Sequence, residues 1–496
     1  MKQVGIKQAA LYNLVAKFAT MFIQLGLNMI LARLIAPAAF GIISVITVLI
    51  NFFNLFADMG VGVSVIQKTD LTRKDHDQLF TFSFYIGLVL ALIMVAIAYP
   101  VSLIYDNEIY RILCPCVSVI ALLNSLNTVP NALLSRDKRF DLIALRSVIC
   151  NLVSGAVTVV LALLGLGVYA LLLHSAMTAV AVFLWNYSRC RLRFCFKLDK
   201  KQLLSNLGSY SLFQLLFNML NYLTRNLDNL IVGATMGEAP LGYYNKAYTL
   251  NLYPNTIFTN VISSVLHPYI RDYKEDIDAL YRKLMSIVKP LSLVAIFVQM
   301  VFFWCSSEII MIMYGDQWDQ AAVCFQWLAL CVWAQMLSSV CGAVFLGLQR
   351  TDQTFKCGVI NFFLIIIAIG AGVVNDSLMI LSLAVAIIYN VIFVITYVML
   401  IAKTMHRGVG LMVRTVGLDF VAMLVFMVGS YFFPLPIDNV WLSLLAKCGI
   451  TLLYYVVYLA LTRQFKVFLR LAASMLPAMK KKARSKAATS SGEELS

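Results

Sequence analysis

Long apolar runs broken by short polar clusters dominate the chain. Windows of about 20 mostly apolar residues, enough to cross the hydrocarbon of a bilayer, recur at roughly 8–35, 40–66, 79–104, 110–134, 142–164, 168–188, 203–236, 241–269, 284–307, 319–348, 354–374, 378–402, 412–433 and 440–461. The runs are continuous rather than alternating, which predicts helices and not barrel strands. The expectation is an all-α integral membrane protein with about 14 transmembrane helices. The first window follows Lys2 and Lys7 as a signal peptide would, but it is too long and shows no convincing small-residue cleavage site, so it reads as an uncleaved span.

The cations test this count. With the N-terminus inside, alternate segments hold Lys2 and Lys7; Lys68, Arg73 and Lys74; Arg136, Lys138 and Arg139; and the cluster from Arg189 to Lys201. They continue with Arg271, Lys274, Arg282 and Lys283; Arg350 and Lys356; Lys403, Arg407 and Arg414; and eight cations of the tail from Arg463 to Lys486. Thirty-one cations fall on that side, and only Arg33, Arg111, Lys246 and Lys447 on the other. This bias sets orientation and predicts both termini in the cytoplasm. A miscounted helix would invert it downstream.

Composition agrees: 61% of the 496 residues are hydrophobic and 13% charged, too few charges for a water-soluble surface. The net charge of +15 would suggest nucleic acid in a soluble protein. Here most of it is a topology signal, and no nucleic-acid partner is expected. The basic tail, with Phe465, Phe468, Leu469, Ala472 and Leu476 at helical spacing, is expected to meet anionic lipids of the inner leaflet.

The most basic internal loop, 191–202, divides the chain. With an offset of 201, the segment Asn28 to Gly41 lies over Asn229 to Gly242, and Tyr105-Asp106 and Tyr314-Gly315 stand at equivalent places. The expected organisation is an N-terminal six-helix lobe at 1–190, a basic linker at 191–202, a C-terminal six-helix lobe at 203–403, two extra helices at 404–462 and a basic tail at 463–496. Repeats of even helix number keep one orientation, as in transporters whose site lies between two lobes.

Polar residues inside the spans form stripes. Ser211, Gln214, Asn218, Asn221, Arg225 and Asp228 recur every three or four positions, on one helical face. Asn13, Lys17, Thr20 and Gln24 lie over Gln214, Asn218, Asn221 and Arg225 in the repeat. Thr47, Asn51, Asn54 and Asp58 continue the pattern, as do Asn124, Asn127, Asn131 and Ser135; Arg146, Asn151, Ser154 and Thr158; and Tyr244, Tyr248, Asn251, Asn255 and Thr259. Interhelical hydrogen bonding is one explanation; a wet cavity suited to sugar hydroxyls is the other. Lys17, Arg146, Arg225 and Lys289 are cations within spans, with Asp58, Asp228 and Asp419 as deep acids. A charge at the bilayer centre costs about 2.5–3.5 kcal/mol on insertion scales, so it faces a cavity or a partner. Arg225 and Asp228 could neutralise each other, and Lys17 and Arg146 could snorkel.

No Walker A sequence, Gly-x-Ser-x-Gly or HExxH motif occurs, and neither catalytic residues nor a cofactor is expected. Gly165-Leu-Gly-Val-Tyr-Ala170 fits a dinucleotide fingerprint only on paper; between two spans it reads as a hairpin turn. The 11 cysteines and four scattered histidines lack metal spacing, so no metal is expected.

Several segments, in order, carry a resemblance: Leu31 to Gly41, Phe56-Ala-Asp-Met-Gly60, Ile66-Gln-Lys68, Asn221 to Gly233, Leu241-Gly-Tyr-Tyr-Asn-Lys-Ala247 and Tyr314-Gly-Asp-Gln-Trp318. The chain resembles the Wzx-type flippases of the polysaccharide transporter family, in the multidrug/oligosaccharidyl-lipid/polysaccharide superfamily, and is most similar to the fourteen-helix subgroup that includes the colanic acid exporters. The resemblance implies two six-helix lobes opening alternately, spans 13 and 14 as a groove for a lipid tail, and an undecaprenyl-diphosphate-linked oligosaccharide as substrate. It implies a cavity drawing on Lys17, Arg225 and Asp228, then Asp58, Arg146 and Lys289, beside the amides Gln24, Asn51, Gln214, Asn218, Asn221 and Asn255 of the stripes. A polysaccharide polymerase is a candidate partner and a monomer the expected state. The alternatives are a cation-coupled multidrug exporter of the same architecture, a lipid II flippase, and a membrane polymerase, which would need a large outer loop.

Overall fold

The computed structural model describes residues 6–58, 60–68, 71–195, 210–272, 276–433, 435 and 437–465. The amphipathic tail expected beyond 465 and most of the basic linker lie outside them. Regular structure among the described residues is helical. In chain order the helices are α1 (Ile6–Leu34), α2 (Pro37–Asp58), α3 (Val61–Gln67), α4 (Arg73–Ala96), α5 (Ala98–Ile104), α6 (Ile109–Arg136), α7 (Phe140–Leu163), α8 (Val168–Cys190) and α9 (Tyr210–Met236). They continue as α10 (Glu238–Asp272), α11 (Ile277–Trp304), α12 (Ser306–Tyr314), α13 (Asp319–Ala329), α14 (Val332–Gly347), α15 (Thr351–Val374), α16 (Leu378–Val398), α17 (Gly410–Phe432) and α18 (Val440–Leu461).

Each of the apolar windows carries helix among the described residues. Eleven helices among the described residues are long and apolar enough to cross a membrane, or twelve when α13 and α14, bent by 56° at a short break, are counted as one span. The helices α9 and α10, of 27 and 35 residues, are long enough to cross but carry the densest polar stripes. The protein is thus an all-α membrane protein, with those two helices distinguished by their polarity.

Local chemistry sets the helix ends. Thr72 and Asp75 form a reciprocal capping box at the start of α4. Asn439 accepts from the backbone N–H of Trp441 and Leu442 at the start of α18. Between α7 and α8, Gly165 and Gly167 take φ of +82° and +52°, so the hairpin turn expected from the sequence is present.

Packing divides the chain into two compact units. The first holds α1 to α9, the start of α10 up to Lys246, Met313–Gln320 and Val373–Asp376; the second holds the rest of the described chain. In the first unit α4 packs on α6, α1 on α7, and α9 on α2. Small residues let the helices approach: a Cβ at Gly87 would lie 2.8 Å from that of Ser125, whose hydroxyl donates to the Ser83 carbonyl at 2.6 Å. The described start of the linker is strapped along α4, with Arg193 N donating to Asp77 and Cys195 N to the Thr81 hydroxyl, both at 2.9 Å.

The second unit is built on α11, which packs against α14, α17 and α18. Its bent span leaves backbone groups without helical partners, and buried side chains satisfy them. The Leu330 carbonyl accepts from Gln299 and Asn390, each at 3.1 Å, and Trp333 N donates to Gln299 Oε1 at 2.8 Å. Irregular backbone within a membrane is tolerated where protein supplies such partners.

Candidate functional site

The stripe residues separate by environment. Lys17 and Gln24 on α1, Asn51 and Asp58 on α2, and Asn218, Asn221 and Arg225 on α9 are all exposed. They belong to the first unit. Tyr222, between two of them, donates to the Val48 carbonyl at 3.0 Å and fixes α9 against α2. At 1.5 Å per residue, Gln24 and Arg225, equivalent in the repeat, both sit about 15 Å from the ends of their helices at Leu34 and Met236. A charge such as Arg225 held at that depth in hydrocarbon would cost about 2.5–3.5 kcal/mol on insertion scales.

Asp228 stands apart from Arg225. It is buried and accepts from Tyr244 Oη at 3.0 Å and from Asn229 N at 2.8 Å. Among the described residues Arg225 makes no ion pair, so the two do not neutralise each other. Asp58 accepts from Gly62 N at 3.2 Å across the break between α2 and α3. The side chain of Gln214 lies outside the described residues.

Arg146 is 8% exposed, drawn inward among α6, α7 and α8. Its Nη1 donates to Asn131 Oδ1 at 3.1 Å and Asn186 Oδ1 at 2.7 Å, while Asn186 donates to Asn127 Oδ1 at 2.6 Å. No described carboxylate pairs with it. Amide oxygens alone support this cation, so Arg146 ties three helices together.

Lys289 and Asn255 belong to the second unit. Lys289 pairs with fully buried Asp419 at 2.7 Å and donates to the Thr415 carbonyl at 2.8 Å. Asp419 also accepts from Ser292 and Tyr458. Asn255 accepts from Thr259 at 3.1 Å. The structure thus brings Lys289 to Asp419 rather than to the exposed stripe.

Sequence reasoning missed Lys246, which it counted as an outer topology cation. Lys246 is 6% exposed, donates to Asn28 Oδ1 at 2.7 Å and sits 3.9 Å over the Phe40 ring. The repeat offset carried the signal, because Lys246 lies over Val45, an apolar and fully buried position.

Paired polar stripes on equivalent helices of a membrane bundle are an arrangement that transporters built from repeats use. A family described as polysaccharide biosynthesis protein matches residues 30–323, more than half of the chain, and the protein belongs to that family. The lipopolysaccharide biosynthesis protein WzxC of Escherichia coli (strain K12) is 25% identical over 358 residues, covering 69% of this chain and 70% of that one. A membrane protein of the cps region of Klebsiella pneumoniae is 22% identical over 354 residues, covering 68% and 70%. The lipid II flippase MurJ in an inward closed conformation shares the fold, with a TM-score of 0.71 and 13% identity over 92% of this chain and all of that one.

Proposed function

We propose that the protein is a flippase that moves undecaprenyl-diphosphate-linked oligosaccharide repeat units across the bacterial cytoplasmic membrane for surface polysaccharide assembly. The observation that carries this reading is the exposure of Lys17, Gln24, Asn51, Asp58, Asn218, Asn221 and Arg225 at membrane depth. Such a surface offers cations to a diphosphate and amides to sugar hydroxyls. Buried Asp228 and Arg146 shape it from behind. Lys289, closed onto Asp419, contributes through packing in the second unit. Family membership supports the place in polysaccharide biosynthesis. The likeness to WzxC, a lipopolysaccharide biosynthesis protein, supports a role in surface polysaccharide assembly.

The orientation has both termini in the cytoplasm, on the strength of the cation bias. The halves 1–190 and 203–403 alternate access to each side, and the helices of 404–462 accompany the lipid. A monomer suffices, with anionic lipids on the basic tail and a polysaccharide polymerase receiving the product. With no nucleotide-binding motif in the chain, an ion gradient or the membrane potential drives transport.

Deleting the gene in its native host is expected to abolish surface glycan and leave drug sensitivity unchanged. Glycan staining and a panel of lipophilic cationic drugs provide the readouts. Normal glycan with new drug sensitivity would overturn the reading in favour of a multidrug exporter.

A further inference from the structure

The second unit carries a thiol pair that the transport reading does not use. Cys305 sits fully buried at the junction of α11 and α12, and its Sγ lies 3.9 Å from Sγ of Cys448 on α18. Among the described residues these are the one pair of thiols in hydrogen-bond contact. The two stand 143 positions apart, so the fold and not local spacing brings them together.

Neighbouring side chains hold the helices in register. One turn along from Cys305, the Glu308 carboxylate accepts from Ser443 Oγ at 2.6 Å and from Nζ of Lys447, the residue before Cys448. Glu308 and Ser443 are both buried, which keeps this polar clamp in place. A disulfide has an S–S distance of about 2.05 Å, so the thiols must close by about 2 Å to form one. Rotation of the two side chains between staggered wells supplies such a movement without separating the helices.

Compartment decides whether such a pair stays reduced. In the orientation proposed above, α11 runs outward and α18 returns inward, so both cysteines lie toward the outer ends of their spans. Cytoplasmic thiols are kept reduced, whereas those outside the membrane meet oxidising surroundings. We propose that Cys305 and Cys448 are joined by a disulfide that staples α18 to the α11–α12 junction. Cys448 is half-buried and takes the first step. Its thiolate attacks the disulfide of an outer thiol–disulfide oxidoreductase and forms a mixed disulfide. The Cys305 thiolate then attacks Cys448 Sγ. The oxidoreductase leaves as a dithiol that has gained two electrons and, through solvent, the two protons. The finished bond is shielded by the burial of Cys305, so it is a permanent link and α18 moves with α11 as one body.

The compartment of these thiols rests on the orientation in the transport reading. Cells making the full-length protein are quenched with excess N-ethylmaleimide, and the protein is purified without reductant and digested. Mass spectrometry is expected to find the Cys305 and Cys448 peptides linked, with neither thiol alkylated. A reductant should then lower the melting temperature of the intact protein in detergent by several degrees, and leave that of Cys305→Ala/Cys448→Ala unchanged. Both thiols alkylated in the quenched cells overturns the staple. Asp438, exposed just before α18, reports the orientation. In the double-alanine background, Asp438→Cys should be labelled on intact cells by a membrane-impermeant maleimide. Reduced thiols with a labelled Asp438→Cys overturn the staple alone. Reduced thiols with an unlabelled one overturn the orientation as well.

Discussion

Lys17→Ala and Arg225→Ala are each expected to abolish surface glycan while leaving the protein at its normal level in the membrane. Both side chains are exposed on their helices, and Arg225 holds no ion pair among the described residues. Their removal therefore opens no cavity, and substitutions of this kind cost stability within about 0.5 kcal/mol. Their proposed work is on the diphosphate. Losing one partner of a desolvated charge pair costs about 2–5 kcal/mol, and 3 kcal/mol slows a step roughly 150-fold. Arg225→Lys should restore part of the export, since it keeps the charge but loses the fork. Glycan staining beside an immunoblot of membranes checks both. Normal glycan in the two alanine variants would remove these residues from the substrate path.

The second large effect concerns stability. Asp419→Leu leaves the Lys289 ammonium inside the second unit without its anion and removes the acceptor to which the Ser292 and Tyr458 hydroxyls donate. Breaking a buried pair from one side costs about 3–5 kcal/mol, whereas replacing both partners by apolar groups is often close to neutral. The double variant Lys289→Met/Asp419→Leu should therefore melt well above Asp419→Leu alone when thermal unfolding is followed in detergent. A double variant as unstable as the single one would show that the charge pair is not the source of the loss.

The distribution of apolar residues made the fold legible, because in a membrane protein the solvent imposes length and apolarity on each helix. Every window carries helix among the described residues, and the polar stripes of α9 were visible from spacing alone. What stayed hidden depended on distant contacts. Lys289 and Asp419 are 130 positions apart, and Arg146 and Asn186 are 40 apart. Periodicity along one helix cannot reveal which helix faces it. The bend between α13 and α14 was equally invisible, since Leu330 and Cys331 are apolar and continue the run; its support comes from Gln299 and Asn390 on other helices. The burial of Lys246 stayed hidden for a different reason. A lone cation near a span end carries the same signature as a topology charge, and only the repeat register exposed its partner position as apolar.

The most direct test is translocation itself. The purified protein would be placed in proteoliposomes with a polyprenyl-diphosphate-linked oligosaccharide in both leaflets, and an impermeant glycosidase added outside. With an ion gradient imposed, the account predicts that the enzyme eventually reaches nearly all of the oligosaccharide, and that the Arg225→Ala protein leaves the inner-leaflet half protected. If that half stays protected in vesicles holding the unaltered protein, the flippase assignment is contradicted.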